Sequence, residues 1–144
     1  MFKEIKESLN KVKIMLVLSV MVFLLTMNNL NTNGVPLIII GVIIYIYHMG
    51  IQSGHWGSQK QNMNTFIKDG LYKYIRHPIY LSIILIHLGV ALCMNSWVYL
   101  AYTLALVTPY VYFHAAVEDE LLKEKLPEYA ESMKRTKMFI PYIL

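Results

Sequence analysis

Between Arg76 and Glu118 the chain carries no Asp, Glu, Lys or Arg. A helix crosses the hydrocarbon core of a bilayer with about 20 apolar residues, so this run is about twice what one crossing needs. Two helices turning near Asn95-Ser96 are the simplest fold for it. Such a hairpin returns the chain to the side it left. The segment around Arg76 and the acids from Glu118 onward are therefore expected to meet at one end.

The rest of the chain agrees with that frame. Of 144 residues, 56% are hydrophobic and only 15% charged, a balance that fits a small integral membrane protein rather than a soluble domain. The expected fold is all-α, a single domain over residues 1–144. It is a bundle of about four transmembrane helices with a cytoplasmic C-terminal amphipathic helix. The spans fall near residues 12–30, 35–51, 79–94 and 97–113, and the last helix near 115–135. Asn28 to Gly34 reads as a turn, and Pro109 is expected to kink the fourth span. In this arrangement all 13 basic and all nine acidic residues lie on one side, which the positive-inside rule makes cytoplasmic. Both termini and any site among the charged residues are expected there. The net charge of +4 then reports topology and attraction to anionic headgroups, not nucleic-acid binding. A single cysteine, Cys93, excludes an internal disulfide.

Two short segments carry the chemistry. The first is Gly70-Leu71-Tyr72-Lys73-Tyr74-Ile75-Arg76-His77-Pro78-Ile79-Tyr80. Arg76 offers a planar donor fork for a carboxylate or phosphate, and His77 can donate or accept near neutral pH. Pro78 restricts His77 to an extended backbone and suits a first helical turn. Lys73 and Arg76 can equally serve as positive-inside anchors, and Tyr72, Tyr74 and Tyr80 as interfacial aromatics. The second segment is Glu118-Asp119-Glu120. These acids suit the first turn of a cytoplasmic helix. Glu118, following Ala115-Ala116-Val117, is expected to be the deepest acid and the nearest to Arg76. His114 and Glu118 share a helix face, but no third ligand follows a recognisable pattern, and no metal is expected. His87 in mid-span is expected to bond a neighbouring helix or line a pocket. His48 and His55 call for no special role.

The segment GLYKYIRHPIYLS resembles the G-x-Y-x-x-x-R-H-P-x-Y-x-G motif of the isoprenylcysteine carboxyl methyltransferase and phospholipid methyltransferase family. The tail EDELLKEKLPEYAESMKRTKMFIP resembles that family's acidic ending, with Asp119 in place of a second Glu and Leu126-Pro127 where Phe-Gly is common. Ser82 replaces a Gly, and Asn64 stands where the isoprenylcysteine branch often has His. The resemblance implies a membrane enzyme using S-adenosylmethionine, with the cofactor in a cytoplasm-facing pocket and a lipophilic acceptor reaching it from the bilayer. Arg76, His77 and Glu118 are the implied catalytic residues. Pro78, Tyr80, Tyr74 and Asp119 join them as implied cofactor contacts. The acceptor is left open between a prenylcysteine carboxylate, a phospholipid amine, a small thiol or another lipophile. The oligomeric state is also open. Two other readings stand beside this one: an NADPH-dependent membrane reductase of the related sterol-reductase type, and a non-catalytic membrane protein that keeps the motif as an anchor.

Overall fold

The computed structural model describes residues 2–27, 30–52, 67–68 and 70–140, with side chains described for 14–27, 30–51, 67–68 and 70–140. His55, Trp56 and Asn64 lie outside these residues. Among the described residues the protein is helical throughout: α1 (Phe2–Thr26), α2 (Val35–Gln52), a 3-10 turn (Gly70–Lys73), α3 (Pro78–Cys93), α4 (Trp97–Tyr102), α5 (Thr108–Lys125) and α6 (Pro127–Met133). A π-helical stretch, Thr103–Val107, joins α4 to α5. The resulting continuous helix, Trp97–Lys125, is long and apolar enough to cross a membrane. The apolar segments Ile14–Thr26, Val35–Ile51 and Pro78–Cys93 are shorter.

The turn expected at Asn95-Ser96 is present. Asn95 has φ 47°, in the left-handed region that Asn tolerates better than most residues. Ser96 caps the next helix, its hydroxyl accepting from the Tyr99 N–H at 3.1 Å. The end of α3 is bonded to the turn before α2. The Asn31 backbone N–H donates to the Cys93 carbonyl at 2.7 Å, and its side-chain amide donates to the Leu92 carbonyl at 3.1 Å. Those are carbonyls that a helix C-terminus leaves without intrahelical partners.

Helices α2 and α3 run antiparallel and nearly touch, because glycine stands where they cross. A Cβ at Gly89 would lie 2.7 Å from the Gly34 carbonyl oxygen, and one at Gly41 would lie 2.9 Å from that of Ser82. One core cluster joins Met15, Val107, Val111, Ala115 and Phe139. A second joins Ala91, Met94 and Tyr99 near the Asn95 turn.

One expectation is corrected. The helix before the acids does not stop and restart near residue 115. It continues to Lys125 because nothing between Pro109 and Pro127 removes a helical hydrogen bond, and Pro127 opens α6 after a break at extended Leu126. Helix α1 begins at Phe2, so its apolar part from Ile14 continues a helix begun in the polar N-terminal residues. Pro109 lies in the first turn of α5, and the helix accommodates it through the π stretch just upstream. There the Thr108 hydroxyl donates to the Thr103 carbonyl at 3.0 Å.

His87 bonds a neighbouring helix, one of the two roles expected for it. Its Nδ1 donates to the Ile83 carbonyl at 2.8 Å, which leaves Nε2 to accept from the Ser19 hydroxyl at 3.0 Å. The Tyr102 hydroxyl completes the cluster 3.0 Å from Ser19. Polar groups of α1, α3 and α4 thus satisfy one another in an apolar interior.

Candidate functional site

The basic-aromatic segment and the acids do meet at one end of the bundle. Gly70, with φ 62°, starts the 3-10 turn, and the chain then passes through His77, at φ −123° and ψ 64° rather than the extended backbone expected before a proline, into Pro78 at the first turn of α3. The tail after α6 straps this piece from one side. Arg76 and His77 donate their backbone N–H groups to the carbonyls of Lys137 and Met138 at 2.8 and 3.1 Å. The Lys137 N–H returns a bond to the Tyr74 carbonyl at 3.0 Å. The segment is therefore fixed before any side chain is considered.

Asp119 is the centre of the charged cluster. Arg76 donates to its Oδ2 from Nε at 3.0 Å, and Nη2 lies 3.0 Å from the same oxygen. His77 Nε2 lies 2.7 Å from Oδ1, and the Tyr129 hydroxyl donates to Oδ1 at 2.5 Å. Arg76 Nη1 also donates to the Thr136 carbonyl at 2.6 Å. Burial opposes charge on Asp119, but the hydrogen bonds from His77, Tyr129 and Arg76 outweigh it and hold the carboxyl below its ordinary value. Burial, and then the Asp119 carboxylate, push the Tyr129 phenol up, so it stays a donor.

The expectation that Glu118 is the deepest acid and the nearest to Arg76 is overturned. Asp119 is 3% exposed, whereas the Glu118 side chain is 41% exposed. The reason is helical phase. Asp119 continues the stripe Val111, Ala115, Asp119 at spacings of four, and that stripe faces the core. Glu118 is turned about 100° from it and faces a cavity instead. There its Oε2 accepts from the Tyr80 hydroxyl at 3.1 Å and lies 3.7 Å from His77 Nδ1.

That cavity has a volume of about 220 Å³. Five residues that the resemblance implied for a site, Arg76, His77, Pro78, Tyr80 and Glu118, line it beside Ile79. Asp119 lies behind its wall. Tyr74 is 53% exposed and is not among the lining residues. Sequence reasoning missed His48, Ile67, Tyr72, Leu122, Tyr129 and Ser132, which complete the lining. For Tyr129 a signal existed, since it belongs to the quoted tail motif. For His48 the only signal was a lone imidazole near the end of an otherwise apolar helix. Tyr72 and Ser132 also border a second, more open cavity of about 530 Å³ that carries Lys68, Lys73 and Arg135. His114 packs its ring on Tyr110, centroids 4.6 Å apart. Among the described residues, no group of three or more His, Cys, Asp or Glu side chains could hold a metal ion.

Residues 30–128 match the family model of the phospholipid methyltransferases. The cobalt-zinc-cadmium resistance protein CzcN of Cupriavidus metallidurans is 36% identical over 81 residues. That match takes in 54% of this chain and 36% of the relative, so the chain spans about a third of that protein. No solved structure matches the chain. The matched family region contains α2, the hairpin and every acid named above, and the chain belongs to the phospholipid methyltransferase family.

Proposed function

We propose that the protein is a multi-pass membrane methyltransferase that transfers a methyl group from S-adenosylmethionine to a lipophilic acceptor. The observation that carries this reading is Glu118. It is a carboxylate half open to a cavity, steadied by Tyr80 and walled by aromatic rings. A carboxylate suits an ammonium or ribose hydroxyl, and aromatic faces favour a cation such as a sulfonium. At about 220 Å³ the cavity is smaller than the roughly 300–1,000 Å³ of ordinary ligand pockets, and the adjoining open cavity adds room. When bound, S-adenosylmethionine supplies an electrophilic methyl group. The protein aligns the partners and excludes water.

In this reading the roles divide by depth. Glu118 and Tyr80 touch the cofactor. His77 is oriented by Asp119 and steadies Glu118. Arg76 has Nε, Nη1 and Nη2 engaged by Asp119 and the Thr136 carbonyl, so it acts as a positioning residue that holds the hairpin and the tail together. The four apolar helices would span the bilayer with both termini and the cavity on the cytoplasmic side, as the charge asymmetry requires.

Calorimetric titration of detergent-purified protein with S-adenosylmethionine tests the proposal. Micromolar binding is expected. Glu118→Gln should weaken it about tenfold or more, the scale of one charge-assisted hydrogen bond, with an unchanged melting temperature. A folded wild-type protein that ignores S-adenosylmethionine and binds NADPH would replace this reading with the reductase one.

A further inference from the structure

His48 and Tyr72 form a pair that the roles above leave unused. His48 is 6% exposed near the end of α2, and Tyr72 lies in the 3-10 turn. The Tyr72 hydroxyl is hydrogen-bonded to His48 Nδ1. Both side chains line the same cavity as Glu118.

The cavity holds few groups able to take a proton. His77 is engaged on both sides, with Nε2 2.7 Å from Asp119 and Nδ1 3.7 Å from Glu118. Glu118 accepts from Tyr80 and is the carboxylate best placed for a cationic ligand. Arg76 carries no acceptor. Tyr129 donates to Asp119. The phenol of Tyr72 is pushed up by burial first, then by Glu118 and Tyr47. A phenol so raised keeps its proton and passes one on rather than standing ionised.

We infer that Tyr72 and His48 form a proton relay that takes up the proton an acceptor loses as it is methylated. This rests on the methyltransferase reading. The acceptor's lone pair forms the new bond to the methyl carbon as the carbon–sulfur bond breaks and its electron pair returns to sulfur. The acceptor's proton passes to the Tyr72 oxygen while the Tyr72 proton moves to His48 Nδ1. His48 leaves the step as imidazolium and returns its proton to solvent. Tyr72 touches the acceptor and is catalytic, and His48 acts through Tyr72. No such relay is needed for a carboxylate acceptor, which has no proton to lose.

Two measurements test the relay. The first uses ligand-free protein: nitrogen-15 NMR of labelled histidine, beside Tyr72→Phe. His48 Nδ1 is expected to carry a lone pair in the wild type and to shift when the phenol is removed. A protonated Nδ1 in the resting protein overturns the relay. The second incubates purified protein with methyl-tritiated S-adenosylmethionine and a total lipid and thiol extract of membranes. The expected label survives mild base, as N- or S-methyl does. Tyr72→Phe and His48→Gln should lower its rate by about 10²-fold, the lower end for general acid–base catalysis, while the dissociation constant for S-adenosylmethionine and the melting temperature stay put. A base-labile methyl ester, or a Tyr72→Phe rate within threefold of wild type, overturns the relay and leaves the methyltransferase reading standing. No cofactor binding and no label overturns both.

Discussion

Asp119 and Glu118 are neighbours with opposite environments, and each supports a different prediction. Asp119 is the buried hub of Arg76, His77 and Tyr129. Removing one partner of a buried ion pair leaves the others uncompensated, at about 3–5 kcal/mol. Asp119→Ala should therefore lower the melting temperature sharply and disturb the strap between residues 74–77 and 137–138. Its carboxyl titrates below the ordinary 3.8 in the folded protein. The stability it contributes is complete above that value and is lost as pH falls through the lowered one. Thermal melts of the wild type should show this loss below about pH 4, and Asp119→Ala should lack that part of the dependence. Arg76→Ala should destabilise the fold as well as the site, because its donors hold the Thr136 carbonyl and Asp119. If Arg76→Ala melts like the wild type, the positioning role assigned to it is wrong. The sequence revealed that Arg76 and an acid would meet, because a hairpin requires it. It did not reveal which acid, because three adjacent acids differ only in helical phase.

At the level of elements, the long helix Trp97–Lys125 links the apolar interior to the site. Its stripe of Val107, Val111, Ala115 and Asp119 runs from the core into the charged cluster without changing face. Had that spacing of four been followed past Ala115, Asp119 would have been marked as the buried acid. The α2–α3 contact was less legible, since a glycine in an apolar run looks like any small residue. It becomes a constraint only when the partner backbone is seen against it. Gly89→Ala would place a Cβ 2.6 Å from Ile38 Cγ1 and 2.7 Å from the Gly34 carbonyl oxygen. Ile38 can turn aside but the backbone carbonyl cannot. Overpacking of this kind costs about 1–3 kcal/mol, which thermal unfolding in detergent should detect as a clear drop. Because α2 carries His48 to the cavity, the same variant should lower the rate of methyl transfer.

For the whole molecule, the four-span reading makes a sided prediction. In a Cys93→Ser background, Asn95→Cys should react with a membrane-impermeant maleimide in intact cells, and Glu124→Cys only after the membrane is opened. Labelling of both residues from outside would refute a hairpin with its acids in the cytoplasm. The sequence alone established that the chain is helical, that a hairpin turns at Asn95-Ser96, and that Arg76 and the acids meet at one end. It could do so because hydrophobicity, charge and turn residues act locally and are read in chain order. Tertiary packing alone decided that His48 reaches the cavity and that the tail straps the motif through Lys137 and Met138. Those outcomes depend on the rotation of each helix about its own axis and on which backbones approach one another. Packing among distant segments sets both, and no local pattern encodes them.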